Sequence, residues 1–123
     1  MFVLDTNAII YYLKGDSKSA PFIENIISQK VPVYISAITE AELFAYSNLT
    51  NKEIKQIDSL IFTLSVIPVD SRIARVAGFL KRNYFLKTPD SIIAATTIFT
   101  GSSLITRNIR DFKKIPDIKL INI

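Results

Sequence analysis

The sequence predicts an α/β protein: a three-layer α/β/α sandwich in which helices cover both faces of a five-stranded parallel sheet. Short apolar runs alternate with helical segments along the chain. Parallel strands need such crossover helices, which pack on the faces of the sheet. The hydrophobic fraction of 49% is high enough to build a buried core. At 123 residues the chain has the size of one domain, so we expect a single domain over residues 1–123.

The predicted strands are the apolar runs at residues 2–4, 31–35, 65–69, 103–106 and 118–121. The predicted helices cover residues 8–13, 21–29, 39–49, 52 to about 64, 71–84 and 88 to about 101. The fifth helix has the clearest pattern, because its apolar residues recur at helical spacing. They are Ile73, Val76, Ala77, Leu80 and Tyr84. Asp70 is its expected N-cap. We expect Thr88 to cap the sixth helix, with Pro89 in the first turn and Gly101 at the end.

The composition excludes several kinds of catalytic site. The chain has no cysteine and no histidine, so it has no thiolate nucleophile, no cysteine-ligated metal and no imidazole base. A catalytic site must be built from carboxylates, lysine, tyrosine, hydroxyls or a bound metal ion. The absence of cysteine, of an apolar leader and of a membrane-spanning run leads us to expect a cytoplasmic protein without a membrane segment.

The charge is distributed unevenly along the chain. Residues 1–70 hold five Lys/Arg and eight Asp/Glu, whereas residues 71–123 hold ten Lys/Arg and three Asp/Glu. The net charges of −3 and +7 sum to the overall +4. A basic second half suits a polyanionic partner, although basic residues are also common on solvated surfaces.

Three acidic residues occupy positions that the predicted fold directs toward one edge of the sheet. Asp5 directly follows the first strand, and Asp90 lies in the first turn of an almost wholly apolar helix. With Ile38 set at 0° on the third helix, Glu42 falls at about 40°, within an apolar arc, and Glu40 at about 200°, where we expect solvent. The other members of that arc are Ala41, Ala45 and Leu49.

Each acid also has an ordinary explanation. Asp5 could cap the next helix, Asp90 could simply favour the positive end of a helix dipole, and Glu42 could pair with a lysine or arginine. Their convergence favours a shared role. Carboxylates that are brought together repel one another, and a divalent cation such as Mg²⁺ or Mn²⁺, which prefers oxygen ligands, relieves that repulsion.

Four segments, in order and spanning nearly the whole chain, resemble the sequence motifs of PIN-domain ribonucleases. They are VLDTN at residues 3–7, ISAITEAEL at residues 35–43, TPDSIIAAT at residues 88–96 and LITRNIRDF at residues 104–112. The small size and the last motif look most like the VapC-type toxins of toxin–antitoxin pairs. The resemblance implies a PIN-like fold and a Mg²⁺- or Mn²⁺-dependent endoribonuclease in which metal-activated water attacks the phosphorus.

The resemblance also implies roles for individual residues. Asp5 and Asp90 would bind metal directly, Glu42 would complete the metal-binding cluster, and Thr6 and Asn7 would support it through hydrogen bonds. In the fourth motif, Thr106, Arg107 and Asn108 would support the site or hold substrate.

The fourth motif departs from the fuller family pattern, because many PIN domains have an aspartate where this chain has Asn108. Our hypothesis is that Asp111, one helical turn further on, supplies the missing charge and joins the catalytic acids. The alternative is that Asp111 only caps a turn or pairs with Arg107 or Lys114.

The partners implied by the resemblance are an RNA substrate and a small antitoxin whose tail packs in an apolar groove and reaches the acids. Tyr11, Tyr12 and Leu13 could line part of that groove. A homodimer is also expected. Two further interpretations stay open: a PIN nuclease of RNA processing, and a PIN scaffold that has lost its activity.

Two other α/β families also place an aspartate after the first strand. A haloacid-dehalogenase-like phosphatase requires a second aspartate two residues later, where this chain has Asn7. A receiver-type signalling domain requires paired acids there and an aspartate at the end of the third strand. Asp5 stands alone and Asp70 fits that position poorly, so both alternatives are disfavoured.

Overall fold

The computed structural model describes residues 1–123. Its strands are β1 (Phe2–Leu4), β2 (Val33–Ser36), β3 (Ser65–Ile67), β4 (Ser103–Thr106) and β5 (Lys119–Asn122). Its helices are α1 (Thr6–Leu13), α2 (Ser19–Ser28), α3 (Ala37–Phe44), α4 (Asn51–Phe62), α5 (Ser71–Tyr84), α6 (Thr88–Thr100) and α7 (Ile109–Phe112). The predicted order of strands and helices is confirmed, with the short α7 added after β4. None of the helices combines the length and the hydrophobicity that crossing a membrane requires.

The sheet is parallel throughout, and its strand order is β3-β2-β1-β4-β5. The chain moves outward from β1 through β2 to β3, then crosses back to add β4 and β5 on the other side of β1. The direction of winding therefore reverses between β1 and β4. Open parallel sheets bind ligands at the carboxyl edge of such a switch point. Asp5 follows β1 at that edge, and Thr106 is the last residue of β4.

Side chains alternate between the two faces of the central strands. In β1, Val3 packs into the core beneath α5 and α6, whereas Leu4 packs into the core beneath α1, α2 and α4. Leu104 and Ile105 divide in the same way in β4. Both faces are thus covered, which explains why the strands read as continuous apolar runs rather than alternating ones. The three-layer sandwich predicted from the sequence is confirmed.

The ends of α5 and α6 test the predicted caps. Asp70 accepts a hydrogen bond from the backbone N–H of Ile73 at 3.0 Å, as expected. Gly101 ends α6 with φ of 65°, a left-handed conformation that glycine adopts without strain. The prediction that Thr88 caps α6 is wrong, because Thr88 is already helical and Lys87 precedes the helix without a side-chain cap. Pro89, with its helical φ and no N–H to satisfy, helps α6 begin there.

Helix α3 is shorter than predicted and turns a different face inward. It ends at Phe44 rather than at Leu49, and a turn follows. Ala41 and Ala45, placed on the apolar arc, are exposed, and the buried residues are Thr39 and Leu43. The physical reason is its position in the fold: α3 contacts both α1 and α6, and its buried face turns toward them.

The predicted stripe of α5 is too wide. Ile73, Ala77 and Leu80 are buried, but Val76 is 40% exposed. Helix α5 packs chiefly against α6. Only a narrow stripe of the helix is therefore removed from solvent.

Candidate metal centre

Asp5 is held in place from both sides of the switch point. It caps α1, with Oδ1 accepting a hydrogen bond from the backbone N–H of Ala8 at 2.7 Å. Its Oδ2 accepts a hydrogen bond from the hydroxyl of Thr106, at the end of β4. Asp5 is 4% exposed. The capping role considered as the ordinary explanation is therefore real, and the carboxylate is at the same time fixed at the carboxyl edge of the sheet.

Glu42 reaches the same edge from α3. The hydroxyl of Thr6 donates a hydrogen bond to Glu42 Oε1 at 2.5 Å. The hydroxyls of Thr6 and Thr39 are also hydrogen-bonded, at 3.1 Å. Thr6 thus connects α1 with α3 and fixes the Glu42 carboxylate. The expected support from Thr6 matches these contacts, whereas Asn7 is exposed and only borders the site.

Glu40 differs from Glu42 in its surroundings rather than in its burial. Both residues are half-buried, so the prediction that Glu40 is simply solvated is wrong. Its helix contacts α1, α6 and β2, and few positions of α3 are fully exposed. Only Glu42 lines the cavity with the other acids. Glu42 therefore lies at the acidic cavity and Glu40 does not, as predicted, but the predicted difference in their exposure to solvent is wrong.

Asp90 lies in the first turn of α6 and is half-buried. With Asp5 and Glu42 it lines a cavity of about 160 Å³. The remaining lining residues are Thr6, Asn7, Ile10, Tyr46 and Ile93. No lysine or arginine is among them. Three carboxylates from three separate elements thus face one small space at the switch point, as the sequence predicted.

The surroundings raise the pKa of two of these carboxyls. Burial raises the pKa of Asp5, and the charge of Glu42 adds to it, while the hydrogen bonds from Thr106 and Ala8 oppose the rise. Burial also raises the pKa of Asp90, with contributions from the charges of Asp5, Asp111 and Glu42. The helix dipole would by itself favour the ionised form of Asp90. Burial and like charge act in the opposite direction.

Asp111 lies beside this cavity rather than in its wall. The side-chain amide of Asn108 donates a hydrogen bond to Asp111 Oδ2 at 3.0 Å, and Lys114 Nζ lies 3.7 Å from Oδ1. The Asn108 hydrogen bond is the largest cause that lowers the pKa of Asp111. The charge of Asp111 nevertheless contributes to the raised pKa of Asp90. The pairing with Lys114 and an electrostatic link to the acidic cluster therefore coexist.

Arg107 is engaged elsewhere. Its Nη2 forms an ion pair with Asp16 Oδ2 at 2.5 Å, and its Nε donates a hydrogen bond to the carbonyl of Ile123 at 2.8 Å. Its guanidinium lies over the ring of Tyr11, 4.0 Å from the centroid. These contacts connect the end of β4 with the α1–α2 loop and the C-terminal residue. A role for Arg107 in holding substrate stays a prediction.

The donor set fits a hard divalent cation. All candidate ligands are oxygens, and a cation would relieve the like-charge repulsion that, after burial, raises the pKa of Asp90. However, no three acidic side chains are arranged to hold one ion together. Mg²⁺ usually retains several waters and binds through one or two carboxylates plus substrate phosphate, so this open arrangement suits it. Direct ligation by all of Asp5, Glu42 and Asp90 stays a prediction.

Two residues of the site were not predicted from the sequence. Thr39 is fully buried and carries the hydroxyl that meets Thr6. Its position three residues before Glu42, on the same face of α3, was an available signal. Tyr46 lines the acidic cavity from the turn after α3. Its position four residues beyond Glu42, one turn further along the predicted helix, was an available signal.

Comparison with known proteins agrees with this architecture. The PIN domain family model matches residues 2–118. Ribonuclease VapC19 of Mycobacterium tuberculosis is 27% identical over 124 residues, 97% of this chain and 98% of that protein. Ribonuclease VapC1 of Rickettsia felis is 30% identical over 132 residues, 98% of this chain and 95% of that protein.

A solved toxin–antitoxin complex from Klebsiella pneumoniae contains a chain of the same fold. The TM-score is 0.79 at 28% identity, and the match covers 98% of this chain and 96% of that chain. The resemblance seen in the four sequence motifs is therefore confirmed across the whole fold. This chain belongs to the PIN domain family, and VapC ribonucleases are among its relatives.

Proposed function

We propose that this protein is a divalent-metal-dependent endoribonuclease and the toxin of a toxin–antitoxin pair. One observation carries the proposal: Asp5, Glu42 and Asp90 meet at one cavity at the switch point of the sheet, and no basic side chain lines that cavity. Neutralising such a cluster calls for a cation, and the cation then supplies the reactivity that a chain without histidine or cysteine lacks. The names of the two VapC relatives support ribonuclease as the activity.

Each residue of the cluster has a separate task in this proposal. Asp5 and Asp90 would hold Mg²⁺ or Mn²⁺, and Glu42 would complete the negative charge. The chemistry that such an ion supplies is a lower pKa for the attacking water and stabilisation of charge on the phosphate. Thr106 and Thr6 keep the carboxylates of Asp5 and Glu42 in fixed orientations through their hydrogen bonds.

A rim of basic residues adjoins the acidic cavity. Lys87 acts on both Asp90 and Asp111, opposing the raised pKa of the first and contributing to the lowered pKa of the second. Arg110 and Lys114 also contribute to the lowered pKa of Asp111. Cations around an anionic centre would hold the phosphates on either side of the cleaved bond, while the centre itself binds metal. This arrangement supports RNA as the substrate.

Neighbouring depressions that share lining residues, together called the groove, extend toward the acids and support an antitoxin partner. A depression of about 900 Å³ between α1, α2 and α4 shares Leu13 and Gln56 with a second of about 360 Å³. The second shares Ile10 and Tyr46 with the acidic cavity. An extended segment lying in this groove would therefore end at the carboxylates.

Only two of the three residues predicted to line the groove lie there. Tyr12 and Leu13 border its larger depression, whereas Tyr11 stacks with Arg107. The Klebsiella structure is described as a toxin–antitoxin complex, which supports the same kind of partner here. The homodimer stays a prediction, which sedimentation of the purified chain tests directly.

Expression in bacteria tests the toxin proposal. The wild-type chain, expressed alone, should arrest growth and produce discrete RNA cleavage products, whereas Asp5→Asn, made in equal amount, should do neither. Coexpression with the product of a small gene immediately upstream should restore growth. Growth arrest by both chains without RNA cleavage would contradict the proposal. The inactive-scaffold interpretation predicts neither arrest nor cleavage from the wild type.

A further inference from the structure

Tyr46 is an exposed aromatic residue at the mouth of the acidic cavity. It lies in the turn after α3, four residues beyond Glu42, and is 55% exposed. Despite this exposure it lines the same cavity as the three carboxylates. A large aromatic side chain left this open at a site is available to a ligand rather than committed to the core.

The cavity is lined by two kinds of side chain. Asp5, Glu42 and Asp90 are acidic, and Ile10, Tyr46 and Ile93 contribute apolar surface. A nucleotide likewise combines an anionic phosphate, which a metal ion held by the carboxylates would bind, with a flat aromatic base. The volume of about 160 Å³ is small beside the 300–1,000 Å³ of pockets that enclose a whole ligand. It suits one unit of a polymer that continues beyond the cavity.

We propose that Tyr46 is a specificity-determining residue that stacks on an unpaired base next to the cleaved phosphodiester bond. This inference rests on the proposed ribonuclease function. Among the residues lining the cavity, Tyr46 alone has an aromatic ring. Stacking on an aromatic side chain accepts every base, because every base has a π-face. Tyr46 thus selects for an unpaired base and against a duplex, in which both faces of the base are already stacked.

The experiment combines substitutions of Tyr46 in the protein with removal of a base from the RNA. Cleavage rates are measured for the wild type, Tyr46→Phe and Tyr46→Leu on one single-stranded oligonucleotide that the wild type cleaves. They are measured again on versions that lack the base on one side or the other of the cleaved bond. In the wild type, removal of the stacked base should lower kcat/KM by roughly 5- to 150-fold. The loss should arise mainly from KM.

The variants separate stacking from a structural role. Tyr46→Phe should keep the dependence on the base. Tyr46→Leu should cleave the intact RNA and the RNA without the stacked base equally slowly, at the rate of the wild type on the RNA without that base. Its melting temperature should equal that of the wild type. Phe62→Leu is the matched control, because Phe62 is 92% exposed and lies outside the cavity, and it should behave as the wild type.

Three results would overturn the inference. One is a wild type that cleaves intact and abasic RNA equally well. Another is a Tyr46→Leu variant that still depends on the base. The third is no cleavage of any RNA by the wild type, which would overturn the proposed function as well. Cleavage by the wild type therefore distinguishes a failure of this inference from a failure of the proposed function.

Discussion

The hydroxyl of Thr106 donates a hydrogen bond to Oδ2 of Asp5 and thereby joins the ends of β1 and β4, the two strands between which the direction of winding reverses. The same hydroxyl oxygen accepts a hydrogen bond from the backbone N–H of Asn108 at 2.9 Å. One buried side chain thus orients the first carboxylate and fixes the start of the loop that carries Asn108 and Asp111. The strand order explains the pairing, because β1 and β4 are neighbours.

Thr106→Val should weaken metal binding without removing any ligand. The hydrogen bond from Thr106 holds the pKa of Asp5 down against burial, so its loss lets protons compete better with the metal. We expect Mg²⁺ affinity to fall by about 10- to 100-fold, as for other residues that orient metal ligands. Isothermal titration calorimetry measures it. Thr97→Val is the control, because the buried hydroxyl of Thr97 bonds only within its own helix. Equal affinities in all three proteins would contradict this role.

Glu42→Gln should lower the cleavage rate by about a hundredfold or more, because it removes one charge from the cluster while keeping the shape of the side chain. Glu40→Gln, two residues earlier on the same helix, should stay within about twofold of the wild type, because Glu40 does not line the cavity. Steady-state cleavage of single-stranded RNA measures both. Similar losses in the two variants would show that α3 presents a different face to the substrate.

Asp111→Asn should raise the Mg²⁺ concentration for half-maximal cleavage several-fold. The charge of Asp111 reaches the cluster, as its contribution to the pKa of Asp90 indicates. Asn108→Ala should have a smaller effect, because Asn108 acts by holding Asp111. Asp117→Asn, at an exposed position, is the charge-matched control. If the metal requirement of Asp111→Asn equals that of the control, the site has three carboxylates.

Asp90→Asn should raise the melting temperature of the metal-free protein at neutral pH. A carboxyl whose pKa is raised in the folded state favours folding below its ordinary value of 3.8, and this contribution is lost as the pH rises through the raised value. The ionised form therefore opposes folding at neutral pH. The advantage of the variant should shrink as the pH falls toward about 4.

Thermal melts in EDTA across this pH range test the expectation. Asp58→Asn, an exposed change of equal charge, is the control and should show no such trend. Addition of Mg²⁺ should stabilise the wild type more than Asp90→Asn, because only the wild type keeps both proposed ligands. A lower melting temperature for Asp90→Asn at neutral pH would contradict the argument.

The fold and the acidic cluster were predictable because they rest on local signals. Apolar runs as long as typical strands predicted the sheet. Asp5 could be placed at the edge of that sheet because it directly follows the first strand. Glu42 was placed correctly, although the apolar face predicted for α3 is rotated away from the face that is buried. The reason is that Glu42 lies between Ile38 and Thr39 on the helical wheel, close to both the predicted and the observed inward faces.

Contacts between distant parts of the chain were not predictable in this way. The ion pair of Arg107 with Asp16 depends on how the α1–α2 loop folds back over β4, and no periodicity encodes that. The hydrogen bonds from Ser19 to Asp16 are local by contrast, because the two residues are three positions apart, and with the charge of Arg107 they lower the pKa of Asp16 to about 2. The end of α3 at Phe44, five residues before the predicted end, likewise has no periodic signal in the sequence.

In the proposed function, carboxylates at the switch point hold a divalent ion that drives RNA cleavage. A single assay tests this by following end-labelled single-stranded RNA with purified protein as Mg²⁺ or Mn²⁺ is added, removed with EDTA and added again. Cleavage should stop with EDTA, return with excess metal and be absent at every stage in Asp5→Asn. Undiminished cleavage by the wild type in excess EDTA, or full cleavage by Asp5→Asn, would contradict it.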